Sequence, residues 1–283
     1  TEEQVIARIA AGRETGTMRA CLSLLLGLLS LPAAHAQPVP EQHAGYDVYA
    51  VGVPVAVLNT GFALGPSDYR IDLAFRTTGL VGWLYRGHQR SDVEGSWQGD
   101  RPAPRRFSGE GVWGGRARQI LIDYAAGRPL VRSLVPPNDA EREPVPPALQ
   151  VDSVDTLSAI ALLMRRVART GRCEAEATTF DGRRAVDVAA RTVGEEVLAP
   201  NARSIFTGRA LRCDFEGRLL AGFLRDGDQA ESRRPRHGSA WLARIEPGAP
   251  PIPVRIDFET RWFGPATMYL TEAGTGPDHS SPR

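Results

Sequence analysis

The chain has no lysine: all 34 of its Lys+Arg positions are arginine. That excludes a lysine nucleophile or Schiff base and reads as the coding bias of a GC-rich genome. Charge of one sign is also missing, since 34 basic against 33 acidic residues leave a net +1. Such a balance supplies no field to draw in nucleic acid. No apolar run reaches the ~20 residues needed to cross a bilayer. The histidines His43, His88, His237 and His279 stand singly, with neither H-x-H nor HExxH spacing, which gives zinc little support. Disorder is excluded by composition, because 42% hydrophobic and 24% charged residues over 283 positions is close to the globular average. What is plentiful is glycine (29) and proline (22), many for a helical protein and suited to a β-rich one full of turns.

The N-terminus carries an address. Met18-Arg19 opens the apolar run Ala20 to Leu31, and Pro32 and Ala34-His35-Ala36 follow. This is a basic, apolar and A-x-A sequence, so residues 18–36 are predicted to be a secretory signal peptide cut after Ala36. Residues 1–17 precede its methionine and read as a gene model extended upstream. Cys21 lies inside the apolar run with no lipobox, which argues against a lipid anchor. The expected product is periplasmic, with no transmembrane segment after cleavage. Cys173 and Cys213 then remain as a pair in an oxidising compartment. Their spacing fits no zinc or thioredoxin motif, so a disulfide is expected, stabilising by ~4 kcal/mol on the chain-entropy estimate.

From Tyr46 onward the apolar pattern has period two. Val51, Val53, Val55 and Val57 alternate with small residues and Pro54, as do Ile71, Leu73 and Phe75, and Val254, Ile256 and Phe258, with polar neighbours. The pattern predicts antiparallel strands with one wet and one buried face. Asp181-Gly182, Glu216-Gly217 and Asp226-Gly227 are predicted turns between strands. One segment breaks the period. Residues 152–171 place Val154, Leu157, Ile160, Ala161, Met164, Val167 and Ala168 at three- and four-residue steps, the mark of an amphipathic helix. Asp152 or Ser153 is the expected N-cap, with Asp155 in the first turn, and Arg165, Arg166, Arg169 and Arg172 near the C-terminal end, where the dipole favours cations. The fold class expected is mainly β: a large curved antiparallel sheet, an open barrel or β-spiral, with this one helix. A single domain is placed at 46–271, with a Pro-rich connection at 135–147 and a disordered tail at 272–283.

Motifs that carry chemistry are few. Gly109-Glu110-Gly111-Val112-Trp113-Gly114 has dinucleotide spacing but sits between strand-like runs, so a glycine-rich β segment is the reading. Ser239 lacks the second glycine of a nucleophile elbow. Asp226-Gly227-Asp228 lacks the later ligands of a calcium loop. Arg233-Arg234-Pro235-Arg236-His237 reads as a solvated loop before an anionic-lipid site. Trp83, Trp97, Trp113, Trp241 and Trp262 read as core or rim aromatics. No cofactor is expected.

At the helix the residues become familiar. Asp155-Thr156-Leu157-Ser158-Ala159, Phe180-Asp181-Gly182-Arg183-Arg184-Ala185-Val186-Asp187-Val188 and Gly208-Arg209-Ala210-Leu211-Arg212-Cys213 resemble elements of domain-of-unknown-function family 3108, a group of exported bacterial proteins. The resemblance spans about 46–270, with Thr156 standing where the pattern has proline. It implies a curved antiparallel β architecture with one helix and carries over no catalytic residues. The expectation is therefore a non-enzymatic cell-envelope protein whose curved sheet holds an apolar ligand, lipid included, or a partner envelope polypeptide. The alternatives are an interaction module with a filled interior and, behind it, a hydrolase using Ser158 or His88 with an acidic neighbour. The mature protein is expected to begin at Gln37. N-terminal sequencing of the soluble exported form checks this, and Thr1 or Met18 at that position would refute it.

Overall fold

A computed structural model describes residues 41–260 and 264–276. The expected upstream extension, signal peptide and cleavage site, Trp262 and the tail beyond residue 276 lie outside the described residues. A first meander comprises β1 (Gln42–Ala50), β2 (Val53–Leu64), β3 (Asp68–Thr77), β4 (Gly87–Gln98), β5 (Arg101–Trp113), β6 (Arg116–Ala125) and β7 (Arg128–Val135), with a short helix α1 (Gly79–Leu84) between β3 and β4. The amphipathic helix α2 (Thr156–Thr170) follows. A second meander then runs through β8 (Ala175–Phe180), β9 (Ala185–Leu198), β10 (Gly208–Ala221), a short helix α3 (Gln229–Arg233), β11 (Arg236–Ala243), β12 (Ile252–Thr260) and β13 (Gly264–Thr275).

All thirteen strands form one antiparallel sheet in the order β7-β6-β5-β4-β3-β2-β1-β13-β12-β11-β10-β9-β8. The first and last strands are thus central neighbours, with Tyr46 opposite Leu270 and Gln42 opposite Thr275. The two edges, β7 and β8, are the strands that flank α2, so the middle of the chain spans the gap in a nearly closed barrel. Val154 forms a parallel bridge to Thr179: its N–H donates to the Thr178 carbonyl (3.0 Å), and its carbonyl accepts from Phe180 N–H (2.8 Å). The Asp152 N–H reaches back to the Gly127 carbonyl at 2.8 Å. The Pro-rich connection is likewise part of the wall: Arg142 bridges Leu224, and Glu143 N–H donates to the Phe223 carbonyl at 2.9 Å.

The helix forms where periodicity placed it, with one correction at its start. Asp155 is the N-cap, its carboxylate accepting from Ser158 N–H, and neither Asp152 nor Ser153 takes that role. Asp152 has positive φ and Ser153 folds back on the Gln150 carbonyl, so both are spent in the turn before the helix. Gly171 ends the helix in the left-handed conformation. The buried face is Leu157, Ser158, Ala161, Leu162, Met164 and Val167. It packs against β3, β4, β5 and β8 from the concave side of the sheet, and Leu157, Ala161, Met164 and Val167 share one core with Tyr69, Ile71, Val93 and Phe107. A disulfide joins Cys173, just past the helix, to Cys213 (Cα–Cα 5.7 Å). Cys213 lies within β10, not at its end, so the bond fastens the helix exit to the middle of the second meander.

Other expectations are corrected where strand pairing outweighs local propensity. Glu216-Gly217 is not a turn. Both residues run inside β10, paired to Ala189 and Val188 on one side and to His237 and Arg236 on the other. Val51 is not a strand residue: Val51-Gly52 is the β1–β2 turn, with both φ positive. Residues 272–275 are not a disordered tail but continue β13, bonded to β1; the ladder is made by backbone groups, which polar side chains leave available. The expected single helix is joined by α1, α3 and two 3-10 turns. Leu157 is only 5% exposed. Leu157→Arg is therefore expected to cost about 3 kcal/mol or more and to unfold the protein. Circular dichroism and thermal melting check it, and a native spectrum with an unchanged Tm would refute the burial.

Candidate functional site

Two features share the interior. The first is a polar cluster at the head of α2. Asp155 and Ser158 are fully buried. The Asp155 carboxylate accepts from Ser158 N–H (2.9 Å) and from the Ser158 hydroxyl (2.5 Å). Tyr69 Oη of β3 shares a 2.7 Å hydrogen bond with that hydroxyl. Gly95 of β4 makes room for this, because a Cβ there would stand 2.5 Å from the Tyr69 ring. Burial pushes the Asp155 carboxyl up to about 6, against the hydrogen bonds that favour its charge. Burial also raises Tyr69 and Tyr124, and the nearby Asp155 charge adds to both. The Tyr124 hydroxyl is buried without a hydrogen-bond partner.

The second feature is a cavity of about 1670 Å³ between α2, the β4–β6 wall and the second meander. Register places Ala175, Ala190, Phe215, Gly238, Phe258 and Ala266 on one face of that meander. Four of the six are alanine or glycine, so this half of the barrel stays hollow, whereas the half against β1–β3 is filled by α2 and large side chains. Gly238 lets the Phe215 ring lie flat along the wall, since a Cβ would meet it at 2.3 Å. Pro102, Pro104, Tyr124 and Leu162 complete the apolar lining, and charged side chains of both signs, among them Arg101, Arg105, Arg166, Asp100, Asp214 and Asp257, border the space. Arg166 is held loosely, 3.7 Å from Asp100, and its Nε is buried without a partner.

Of the residues singled out in the sequence, Asp155, Leu157 and Ser158 meet at this site. Asp181 and Gly182 form the β8–β9 turn some distance along the wall. There Asp181 accepts from the Arg183 and Arg184 N–H groups, and Arg183 donates to the Val135 and Pro136 carbonyls at 2.8 Å. Gly182 has φ +80°, and a Cβ would stand 2.4 Å from Ile120 Cδ1. The D-G-R-R run is thus the clasp that ties β8–β9 to the end of β7. Ser158 does have an acidic neighbour, but its hydroxyl is enclosed between Asp155 and Tyr69; His88 lies apart on β4. Ser239 donates to Asp214 at 2.7 Å within a strand-to-strand network. Gly109 to Trp113 are β5 residues, and a Cβ at Gly111 would clash with the His88 carbonyl, so the glycines permit close strand approach. Asp228 caps α3, and Glu231 pairs with Arg234 and Arg236. The arginines near the end of α2 have separate partners: Arg165 lies 4.3 Å over Trp97, Arg166 and Arg169 meet Asp100, and Arg172 meets Glu174. Among the described residues, no group of three or more His, Cys, Asp or Glu could hold a metal.

Sequence reading missed Tyr69, Tyr124 and the wall of Ala175, Ala190 and Gly238. The only signal was the run of small residues alternating in β8 and β9, which does not say which face is hollow.

The buried carboxyl has a pH consequence. Its folded value, about 6, lies above the ordinary 3.8, so the folded state holds the proton more tightly. Stability from this group is present below about pH 4 and is lost as pH rises to about 6, by up to ~3 kcal/mol. Asp155→Asn should remove that component. Chemical denaturation at pH 4 and pH 7 checks it, and an equal change with pH in both proteins would refute it.

Comparison with known proteins gives a family and a fold. A search of curated proteins gives no match. Among solved structures the chain is similar in fold to a beta-barrel-like protein of domain of unknown function DUF1849 from Brucella abortus, with a TM-score of 0.51 at 11% identity, covering 85% of this chain and 99% of the other. The model of the family described as protein of unknown function (DUF3108) matches residues 45–271, most of the strands and the whole of α2. The chain belongs to the DUF3108 family.

Proposed function

We propose that the protein is a non-enzymatic binding protein of the cell envelope, exported through residues 18–36, that holds one elongated amphipathic ligand in the hollow half of its barrel. One observation carries this reading: a cavity of about 1670 Å³ in which an apolar strip of alanine, glycine, phenylalanine and proline is bordered by charged side chains of both signs, beside a helix that fills the rest of the interior. Small-molecule sites are mostly apolar clefts with a few polar groups that orient the ligand, and this one exceeds their usual size of about 300–1,000 Å³. An acyl chain fits such a wall. Its border carries both signs, Arg101, Arg105 and Arg166 beside Asp100, Asp214 and Asp257, which suits the polar end of an amphipathic ligand.

Native mass spectrometry of the protein purified from an envelope fraction tests the proposal. The expected result is a bound lipid-like mass that Ala190→Trp abolishes, because the indole would occupy the cavity, while the variant keeps the wild-type circular dichroism. A ligand-free mass for the wild-type protein, or retention of the ligand by the variant, would overturn it.

A further inference from the structure

We propose that the end of the barrel carrying α1 docks on an anionic lipid bilayer. Three connections meet there, because alternate turns of an antiparallel meander lie at one end: the Val51-Gly52 turn, α1 with Tyr85, and the β5–β6 turn. Gly79 packs against the Pro54 carbonyl, where a Cβ would stand at 2.8 Å. On the far side of the patch Tyr85 lies 6.3 Å from the Trp113 ring. The patch is therefore continuous.

Its composition is the reverse of a soluble tip. The helix sequence is Gly-Leu-Val-Gly-Trp-Leu, and none of its residues is buried. Leu80, Trp83 and Leu84 are 64%, 79% and 68% exposed, and Tyr85, Val51 and Val53 are exposed around them. Folding gains little from these side chains. Val51 sharpens the point: it holds a β-branched side chain at φ 51° on a turn tip, a conformation that favours Gly or Asn. An apolar side chain is kept outward there at the expense of backbone strain.

The rim identifies the partner. Arg76 and Arg86 flank the α1 connection, Arg116 pairs with Trp113, and Arg203 reaches the Gly52 carbonyl at 3.2 Å. Among the described residues none of these four arginines belongs to an ion pair. Elsewhere on the surface arginine is widely paired with Asp or Glu. A tip of Trp, Tyr, Leu and Val ringed by guanidinium groups without a carboxylate partner matches the bilayer interface, with aromatics at headgroup depth and arginines on the phosphates.

The test adds the full chain to vesicles of phosphatidylglycerol and phosphatidylethanolamine, or of phosphatidylcholine alone. Any contribution from the apolar run at 20–31 is common to the wild-type chain and its variants. Sedimentation with the anionic vesicles should fall about tenfold or more in Trp83→Ser/Leu84→Ser and in Arg86→Glu/Arg116→Glu. Brominated acyl chains should quench the wild-type tryptophan fluorescence, and Trp83→Phe should reduce that quenching. Because the altered residues are exposed, each variant should keep the wild-type circular dichroism. Undiminished binding by both double variants, quenching that is undiminished in Trp83→Phe, or equal binding to phosphatidylcholine would overturn the proposal. Ala190→Trp should bind vesicles as the wild type does, so failure of the cavity reading leaves this result interpretable.

Discussion

The buried junction of Asp155, Ser158 and Tyr69 is the constraint around which the rest of the molecule is arranged. A carboxylate with no solvent contact is tolerable only if its oxygens are satisfied. Here one oxygen takes a backbone N–H of the helix it caps, and the other takes a hydroxyl that is itself tied to a tyrosine of the sheet. A single side chain therefore starts α2 and fixes where that start lies inside the barrel. Once the head of the helix is pinned to β3, it packs against β3–β5 and β8, and the disulfide holds its exit against β10.

The same geometry manages the edges of the sheet. A thirteen-stranded sheet with two open edges would offer two templates for pairing with other chains. In this topology both edges flank the helical connection, so short elements reach them. Val154 covers part of β8, Arg183 takes the carbonyls at the end of β7, and the Pro-rich segment pairs with residues 222–225. Proline suits that segment because few of its backbone N–H groups are needed for pairing.

Filling one half of the interior with a helix leaves the other half hollow only if its wall is lined with small residues, and β8, β9, β11 and β13 supply alanine and glycine there. Large apolar side chains also stand outside the barrel, on α1 and the neighbouring turn. Apolar surface thus sits in two places where packing does not require it, one inside the barrel and one outside.

Much of this was legible in the residues. Period-two runs marked the strands, the three- and four-residue steps of Leu157, Ala161, Met164 and Val167 marked α2, Asp181-Gly182 marked its turn, and Cys173 and Cys213 marked the disulfide. Each of these is a local or pairwise property, set by side-chain period, turn chemistry or the count of thiols. The tertiary structure decided what depends on neighbours distant in the chain. Glu216-Gly217 became strand because β9 and β11 flank it on both sides. Residues 272–275 became strand because β1 offered an unpaired ladder. Asp155 displaced Asp152 as the cap because only its carboxylate meets Ser158 and Tyr69 together. The hollow half of the barrel likewise could not be read from the alternating alanines. Whether a small residue leaves space or fits a close packing contact depends on what stands opposite it, and that is settled only when the two meanders face each other across the helix.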